Sequence, residues 1–476
     1  MTDTSYPLPP PTGRVLPQIG RSKGTKLLVV CVLAVLMSIP AVFVFMLLHD
    51  RVNRAEQVTT QIGGLMGGPQ TFLGPVISVP YVIPAATATA ADGTTTHTAP
   101  VTGNLIVFPV TGTATVGSRS EIRSRGLFHV PVYKADLAFA AHFDLTHVPV
   151  PASGTLLDWS HAKLVSGASD SRGAGHDITA QIGSDAITLA PDADTTGTID
   201  GDSRALDLFS APVANLDPAK PFDVTLDMSF NGARSLGVLA FAKSTQVGMS
   251  GDWNWPSFDG NFLPATRAFH HTRDNPMVKG EDELKSGFRA AWSIPFIARG
   301  LPAAIDEDKL STLGKANMSV TFADPANPYQ SVGRSLKYAL LFVGLVFLTY
   351  FLFESTAKKE LHPAQYILIG LAQVTFYLLL LSLAEQIGFD FAFGVAATAT
   401  VLLISAYAWM VFRSALRFFA ALGAFSLLYA LIYVLMRMED YALLIGAISA
   451  FVVIAVVMIL TRNLNWYGRP IEAPAN

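Results

Sequence analysis

The chain has 476 residues, of which 51% are hydrophobic and only 14% are charged, and its formal net charge is −3. Its mean hydropathy is +0.40, which is too apolar for an ordinary soluble protein of this length. The composition therefore excludes a typical soluble globular protein and predicts a membrane protein.

Residues 1–25 are predicted to form a disordered cytoplasmic tail, because they are rich in proline and carry no apolar period. The run KLLVVCVLAVLMSIPAVFVFMLLH (26–49) is long enough to cross a bilayer. A cleaved signal peptide is the alternative. We favour an uncleaved anchor, because the run is about twice the usual apolar region of a signal and no small-x-small cleavage motif follows it.

Residues 50–333 differ sharply from both flanks and are predicted to form a large, mainly-β domain. A short polar helix over 49–66, ended by GGPQ, leads into it. Polar and apolar residues then alternate in several runs, which is typical of half-buried strands. We predict an antiparallel architecture, either sandwich-like or divided into two lobes. The only cysteine, Cys31, lies in the first span, so this domain has no disulfide.

The segment NWPSFDGNFLPATR (254–267) is the best candidate for a ligand-binding loop outside the membrane. Aromatic rings supply contact area, and Pro and Gly fix the shape of a loop. The interpretation that we favour is a loop whose rings pack onto the core. The candidate binding residues are Trp253, Trp255, Phe258, Asp259 and Arg267.

No sequence motif indicates catalysis: HExxH, GxSxG, P-loop and dinucleotide-glycine patterns are all missing. His270 and His271 are the only adjacent histidines, and neighbours on a strand point to opposite faces. We therefore predict no catalytic residues, no metal, no cofactor and no enzymatic activity.

Residues 334–461 contain five further apolar runs, which predict a five-helix transmembrane bundle followed by a cytoplasmic tail, 462–476. The predicted fold is thus an α-helical polytopic membrane protein with six transmembrane helices, one plus five, and a large mainly-β domain outside the membrane. The basic residues near the span ends fall on one side, which places both termini in the cytoplasm and 50–333 on the opposite side of the membrane. Those residues are Lys358, Lys359, Arg413, Arg417, Arg462 and Arg469.

Glu385 ends the long apolar run that begins near Pro363. Proline suits the first turn of a helix, and the 22 residues to Glu385 span roughly 33 Å, so Glu385 is predicted at the outer interface. A carboxylate at the bilayer edge is better tolerated beside a cation. We predict a pair with Lys337, with Arg334 as second choice. The alternative is an unpaired Glu385 exposed to water and headgroups.

The interiors of the predicted spans hold uncharged polar residues, mainly Gln, Thr, Ser and Tyr. This disfavours an ion-coupled pump, which usually keeps ionisable residues at mid-membrane. A water-accessible polar cavity around Gln373 and Tyr377 would instead indicate transport.

Five strings together resemble the CreD family of inner membrane proteins. The resemblance runs in order from the first span to Tyr467, and within LHPAQY and the following helix it includes the membrane-motif residues His362, Pro363, Gln365, Tyr366, Gln373 and Tyr377. The strings are GPQTFLGPVISVPY (68–81), NWPSFDGNFLPATR (254–267), KYALLFVGLVFLTYFLFE (337–354), LHPAQYILIGLAQVTFYLLLLSLAEQIGF (361–389) and LTRNLNWY (460–467).

The resemblance implies a bacterial inner membrane protein linked to cell envelope integrity, and it supplies no reaction or ligand. We therefore predict an envelope-integrity or stress-adaptation component that acts by binding or scaffolding. The alternative is a transporter-like or enzyme-associated module whose β domain captures a periplasmic ligand. The expected partners are the lipid bilayer and a periplasmic or membrane protein, with no nucleic acid.

Overall fold

The computed structural model describes residues 23–89, 95–199, 204–214, 216–269, 286–322, 328–357, 361–437 and 442–462. The chain divides into two compact units. The helical unit comprises Met1–Arg54 and Ala326–Asn476, and the β unit comprises Ala55–Pro325. Each unit is described by itself below.

The described α-helices flank the β region in the sequence, apart from one short α-helix inside it. They are α1 (Lys23–Leu36), α2 (Ser38–Leu65), α3 (Phe296–Arg299), α4 (Pro328–Lys337), α5 (Ala339–Thr356), α6 (Pro363–Ile387), α7 (Phe389–Phe412), α8 (Ala415–Arg437) and α9 (Ala442–Thr461).

Five helices in the described part of the chain are long and apolar enough to cross a membrane. One is N-terminal, Gly24–Leu65, which joins α1 and α2, and the other four are α5, α6, α7 and α8. The last predicted span is represented by a shorter apolar stretch, Leu444–Ile459. The structure therefore confirms apolar helices on both sides of a large β region, and five of those in the described residues are long and apolar enough to span a membrane. At the position of the sixth predicted span, α9 has 20 residues.

The polar segment after the first span is not a separate helix. It continues α2 to Leu65 without a break. Gly67 and Gly68 follow at φ 85° and 65°, a left-handed conformation that glycine adopts without steric cost. The helix thus ends at the GGPQ segment that the sequence predicts to end it.

The strands of the β unit range from 2 to 16 residues in length, and several of them show the predicted alternation. They are β1 (Gln70–Ile83), β2 (Ala86–Thr89), β3 (Thr95–Thr98), β4 (Val101–Val107), β5 (Thr111–Arg125), β6 (Phe128–Phe143), β7 (Leu156–Leu157), β8 (Lys163–Ala168), β9 (Ile178–Ile182), β10 (Asp185–Ile199), β11 (Arg204–Pro212), β12 (Phe222–Ala233), β13 (Ser235–Leu239), β14 (Ser244–Gly251), β15 (Pro256–Gly260), β16 (Thr266–Phe269), β17 (Phe288–Ile294), β18 (Ala304–Asp306) and β19 (Asn317–Phe322).

Seventeen of these strands, counted over the described residues, form two hydrogen-bonded layers that β10 connects. One layer contains β1, β4, β7, β8, β11, β13, β15, β18 and β19. The other contains β5, β6, β9, β12, β14, β16 and β17. Most pairs are antiparallel, but β1 with β13 and β5 with β14 are parallel.

The core of the β unit lies between the two layers. Rings from opposite layers meet there, with 5.1 Å between the centroids of Phe72 and Phe230 and 4.9 Å between those of Tyr133 and Phe322. The first half of β5 alternates exposed and buried residues, because successive side chains point to opposite faces of a strand. Each buried Phe contributes roughly 1.5–3 kcal/mol, so this core holds the unit together without a disulfide.

Candidate functional site

The predicted binding loop is partly a strand, and its residues do not gather in one place. Pro256–Gly260 form β15, which pairs with β19. Trp253 is 9% exposed and its indole N–H donates to the Trp255 carbonyl at 3.1 Å. The Phe258 ring lies 6.1 Å from that of Trp292. Both Trp253 and Phe258 therefore pack against the core.

The remaining three candidates lie on the surface of the β unit. Trp255 is 41% exposed, and Asp259, also exposed, accepts a 3.3 Å hydrogen bond from Ser257. Four residues of strand separate them, about 13 Å. Arg267 is exposed on β16, in the other layer.

In the helical unit, the LHPAQY motif builds the start of α6. The His362 Nδ1 atom accepts from the Ala364 N–H at 3.2 Å, and the Gln365 side chain accepts from the His362 N–H at 3.0 Å. Pro363 stands in the first turn, where it has no N–H to leave unpaired. The motif residues thus cap a spanning helix, whose first N–H groups have no partner within the helix.

Close to this cap lies a buried carboxylate that sequence analysis did not single out. Glu354, on α5, has a side chain only 6% exposed and forms an ion pair with Lys26 of α1. It also accepts from the Tyr366 hydroxyl at 2.9 Å and from the Leu361 N–H at 2.7 Å. We call these four residues the Glu354 cluster. It joins α1, α5 and α6, and its donors occupy both carboxylate oxygens.

The second cluster forms around Glu385, near the other end of α6. Its carboxylate accepts from the Tyr329 hydroxyl at 3.1 Å and lies 3.8 Å from a guanidinium nitrogen of Arg51. The side chain of Glu385 is 7% exposed. We call Glu385, Arg51 and Tyr329 the Glu385 cluster. Burial and the carboxylate raise the pKa of Tyr329, so its hydroxyl stays protonated and donates.

The predicted partners of Glu385 were wrong. Among the residues that the structure describes, its ionic partner is Arg51, and Lys337 and Arg334 are not paired with it. Lys337 is the exposed last residue of α4, whereas Tyr329 is in the first turn of that helix. Helix rotation explains the error, since counting along an apolar run gives depth but not the face on which a side chain lies.

The Glu385 cluster has a specific place in the chain. Arg51 precedes the β unit by a few residues, Tyr329 follows it by a few residues, and both contact one carboxylate on α6. Nineteen residues of α6, roughly 28 Å, separate Tyr366 of the first cluster from Glu385. The two clusters therefore attach the N-terminal span to the C-terminal helices at levels about one hydrocarbon thickness apart.

The two residues that would mark a transport cavity are buried. Gln373 is 3% exposed and Tyr377 is 2% exposed. The Gln373 amide nitrogen reaches the Phe342 carbonyl at 3.5 Å, and its oxygen has no partner in the described part of the chain. The Tyr377 ring packs against Phe376, 5.0 Å between centroids. Neither residue lines a water-accessible cavity in this structure.

Comparison with known proteins matches residues 22–467 to a family described as "Inner membrane protein CreD". The chain belongs to the CreD family. It is similar to the inner membrane protein CreD of Escherichia coli (strain K12), with 28% identity over 440 residues, 91% of each chain. The family match covers both clusters and the whole β unit of this CreD family member.

Sequence reasoning missed Glu354, Lys26, Arg51 and Tyr329 in this CreD family member. Glu354 closes the second apolar run and Lys26 opens the first. The sequence therefore indicated that both residues lie at the same side of the membrane. Arg51 was assigned to a separate polar helix, and Tyr329 was assigned to the β domain. Among the described residues, no group of three or more His, Cys, Asp or Glu could hold a metal ion.

Proposed function

We propose that this CreD family protein maintains cell envelope integrity by displaying its β unit in the periplasm as a binding or scaffolding module. The helical unit is its base in the inner membrane, and both termini are cytoplasmic. The supporting observation is the Glu385 cluster, which gathers the chain segments before and after the β unit on one carboxylate.

Two further observations support this proposal over a transport role. The β unit has its own core with rings from two layers, as a module that folds around itself requires. In contrast, the polar residues Gln373, Ser405 and Tyr429 inside the helical unit are buried. Each of the two buried carboxylates has a cation and a tyrosine as partners, which is how membrane helices satisfy charge.

The first experiment is genetic. A strain that lacks the gene is expected to be more sensitive to envelope-targeting agents than its parent, and the wild-type gene should restore survival. Equal survival of the deletion strain and its parent over a panel of such agents would contradict the proposal.

The second experiment seeks the partner in intact cells. A photo-crosslinking amino acid is placed at Ile122 or Leu156 of the β unit, which are 57% and 65% exposed. The matched control carries it at Phe451 of α9, which is 75% exposed. We expect a discrete envelope protein to be trapped from the β unit and not from the control position. The same adducts from all three positions would indicate random collision.

A further inference from the structure

A buried arginine in the β unit lacks hydrogen-bond partners. Arg299 ends the single-turn helix α3 and is 4% exposed. None of its three guanidinium nitrogens has a partner in the part of the chain that the structure describes. A guanidinium carries five N–H donors, so this is a large unmet hydrogen-bonding capacity inside a packed unit.

The surroundings of Arg299 offset its charge only in part. Its Cζ atom lies 3.7 Å from the centroid of the Phe108 ring, an attractive cation–π contact that leaves every N–H unpaired. Burial lowers the pKa of Arg299 to about 10, so the group remains a cation at neutral pH. Buried charges in proteins are normally paired, and an anion from outside the chain would complete this site.

Exposed apolar side chains lie next to this arginine. Phe296 and Ile297, on the same helical turn, are 45% and 91% exposed, and Leu263 is 74% exposed. Leu263 is placed near the end of β17 that leads into α3, because the carbonyl of its neighbour Phe262 accepts from the Trp292 indole at 2.9 Å. Phe296 and Ile297 give the turn that carries Arg299 an apolar surface, larger than a single stray hydrophobic residue.

We propose that Arg299 is the anion-recognising residue of a binding site for a small carboxylate borne on an apolar body. The inference rests on the proposed function, and it names the ligand class of the β unit. The guanidinium fork matches a carboxylate with two parallel hydrogen bonds, Phe108 supports its other face, and the apolar body lies against Phe296, Ile297 and Leu263.

Because Arg299 is 4% exposed, the proposal requires α3 to shift outward when the ligand binds. This helix has four residues, its N-cap Pro295 offers no side-chain hydrogen bond, and Gly300 follows in the left-handed region at φ 70°. So short a helix has little stability of its own, and two backbone hydrogen bonds to the Pro295 carbonyl close its turn.

The test measures binding to the full-length protein in detergent by isothermal titration calorimetry. Hexanoate supplies a carboxylate on an apolar body, and hexanamide has the same shape without the charge. We expect hexanoate to bind the wild-type protein. Hexanamide should bind with an affinity lower by about tenfold or more, because it cannot form a charged hydrogen-bonded pair.

Variants at two arginines assign the binding to a residue. Arg299→Met should weaken the binding of hexanoate by about tenfold or more. Arg299→Lys should weaken this binding less, because lysine keeps the positive charge although it lacks the two parallel N–H donors of arginine. The matched control is Arg289→Met, an exposed arginine on β17, which should bind like wild type. Arg299→Met should melt at the same or a higher temperature, since it removes a buried unpaired charge.

Further probes separate the sources of the carboxylate. An apolar tripeptide with a free C-terminus is compared with its amidated form and with hexanoate. Tighter binding of the free peptide assigns the site to peptide ends, and tighter binding of hexanoate assigns it to free acids; both uphold the proposal. No hexanoate or peptide binding, equal binding by Arg299→Met, or a response to inorganic phosphate alone overturns it.

The carboxylate site and the proposed function can fail independently of each other. If the deletion strain shows envelope sensitivity but the wild-type protein binds no carboxylate, the site fails and the proposed function stands. If the deletion strain equals its parent while the protein binds hexanoate through Arg299, the proposed function fails and the site stands.

Discussion

Glu354 and Glu385 solve the same physical problem near opposite ends of α6. A carboxylate at the edge of a low-dielectric layer is costly unless a cation and hydrogen-bond donors accompany it. Each of the two has one cation, Lys26 or Arg51, and one tyrosine hydroxyl. In both clusters the cation comes from the N-terminal span, so the charges also fix where that span attaches.

Glu385→Gln is expected to lower the stability of the helical unit in detergent. Hydrogen bonds to charged groups contribute about 1.5–3 kcal/mol to stability. We expect a loss at the lower end of this range, because Arg51 is 43% exposed. The measurement is the apparent melting temperature. The control is Asp390→Asn, whose pair with Arg437 is exposed on both sides and should cost under about 1 kcal/mol. Equal losses would show that Glu385 is an ordinary boundary residue.

Lys26 and Glu354 should behave as a coupled pair. Glu354→Leu or Lys26→Met alone leaves one charge without its partner, which costs about 3–5 kcal/mol for a fully buried pair and less here, since Lys26 is 26% exposed. The double variant should lose less than the sum of the single losses. Strict additivity in melting experiments would mean that the two charges do not interact.

How far the sequence determines these sites differs from residue to residue. The depth of Glu385 followed from counting along an apolar helix with a fixed rise. The ionic partner of Glu385 could not be predicted in this way, because the choice between Arg51 and Lys337 depends on how distant helices rotate and pack. Arg299 gave no sequence signal at all, since burial and missing partners are properties of the folded chain.

Among the elements, Gly370 of α6 is the described glycine of the helical unit where an added side chain would meet its neighbours most closely. A Cβ atom there would lie 2.6 Å from Met37 Cγ and 2.9 Å from Phe347 Cζ. Met37 is the residue between α1 and α2, so a missing side chain on α6 allows the N-terminal span to pack closely.

Gly370→Ala should therefore destabilise the helical unit by about 1–3 kcal/mol through overpacking, reduced by the better helix propensity of alanine. Gly344→Ala is the matched control, because nothing lies within 4 Å of its Cβ position. It should be neutral or stabilising by up to about 1 kcal/mol. Similar melting temperatures for the two variants would contradict the close packing at Gly370.

Strands and helices were predictable to different extents. A strand with one buried face repeats every two residues, and the alternation that predicted a mainly-β domain is present in β5, β6 and β12. It missed β15, whose Pro256 and Gly260 are typical of loops. The continuity of the polar helix with the first span was also missed, since a helix that leaves the apolar layer keeps its backbone hydrogen bonds while its composition turns polar.

For the whole molecule, the proposed orientation has a direct test. A reporter fused before α1 or at the C-terminus should report a cytoplasmic location. One inserted at Gly183, in the turn between β9 and β10 with no atom near its Cβ position, should report the periplasm. Protection of the β unit from protease in spheroplasts with an intact inner membrane would contradict the proposal.

The β unit should also fold when residues 55–325 are expressed alone. Its core lies within its own two layers, so removal of the helical unit should leave that core intact. The expected result is a strand-dominated circular dichroism spectrum and one cooperative thermal transition. A spectrum without strand signal would show that the helical unit is needed for folding.

The pairing of β13 dictates when folding can finish during synthesis. This strand lies between β1, the first strand of the unit, and β19, the last. The ribosome makes these neighbours far apart in time, and such distant contacts form slowly. The β unit thus remains open until its final strand has emerged, directly ahead of α4 and α5. A chain interrupted before β19 leaves β13 with an unpaired edge, open to aggregation and to quality-control proteases.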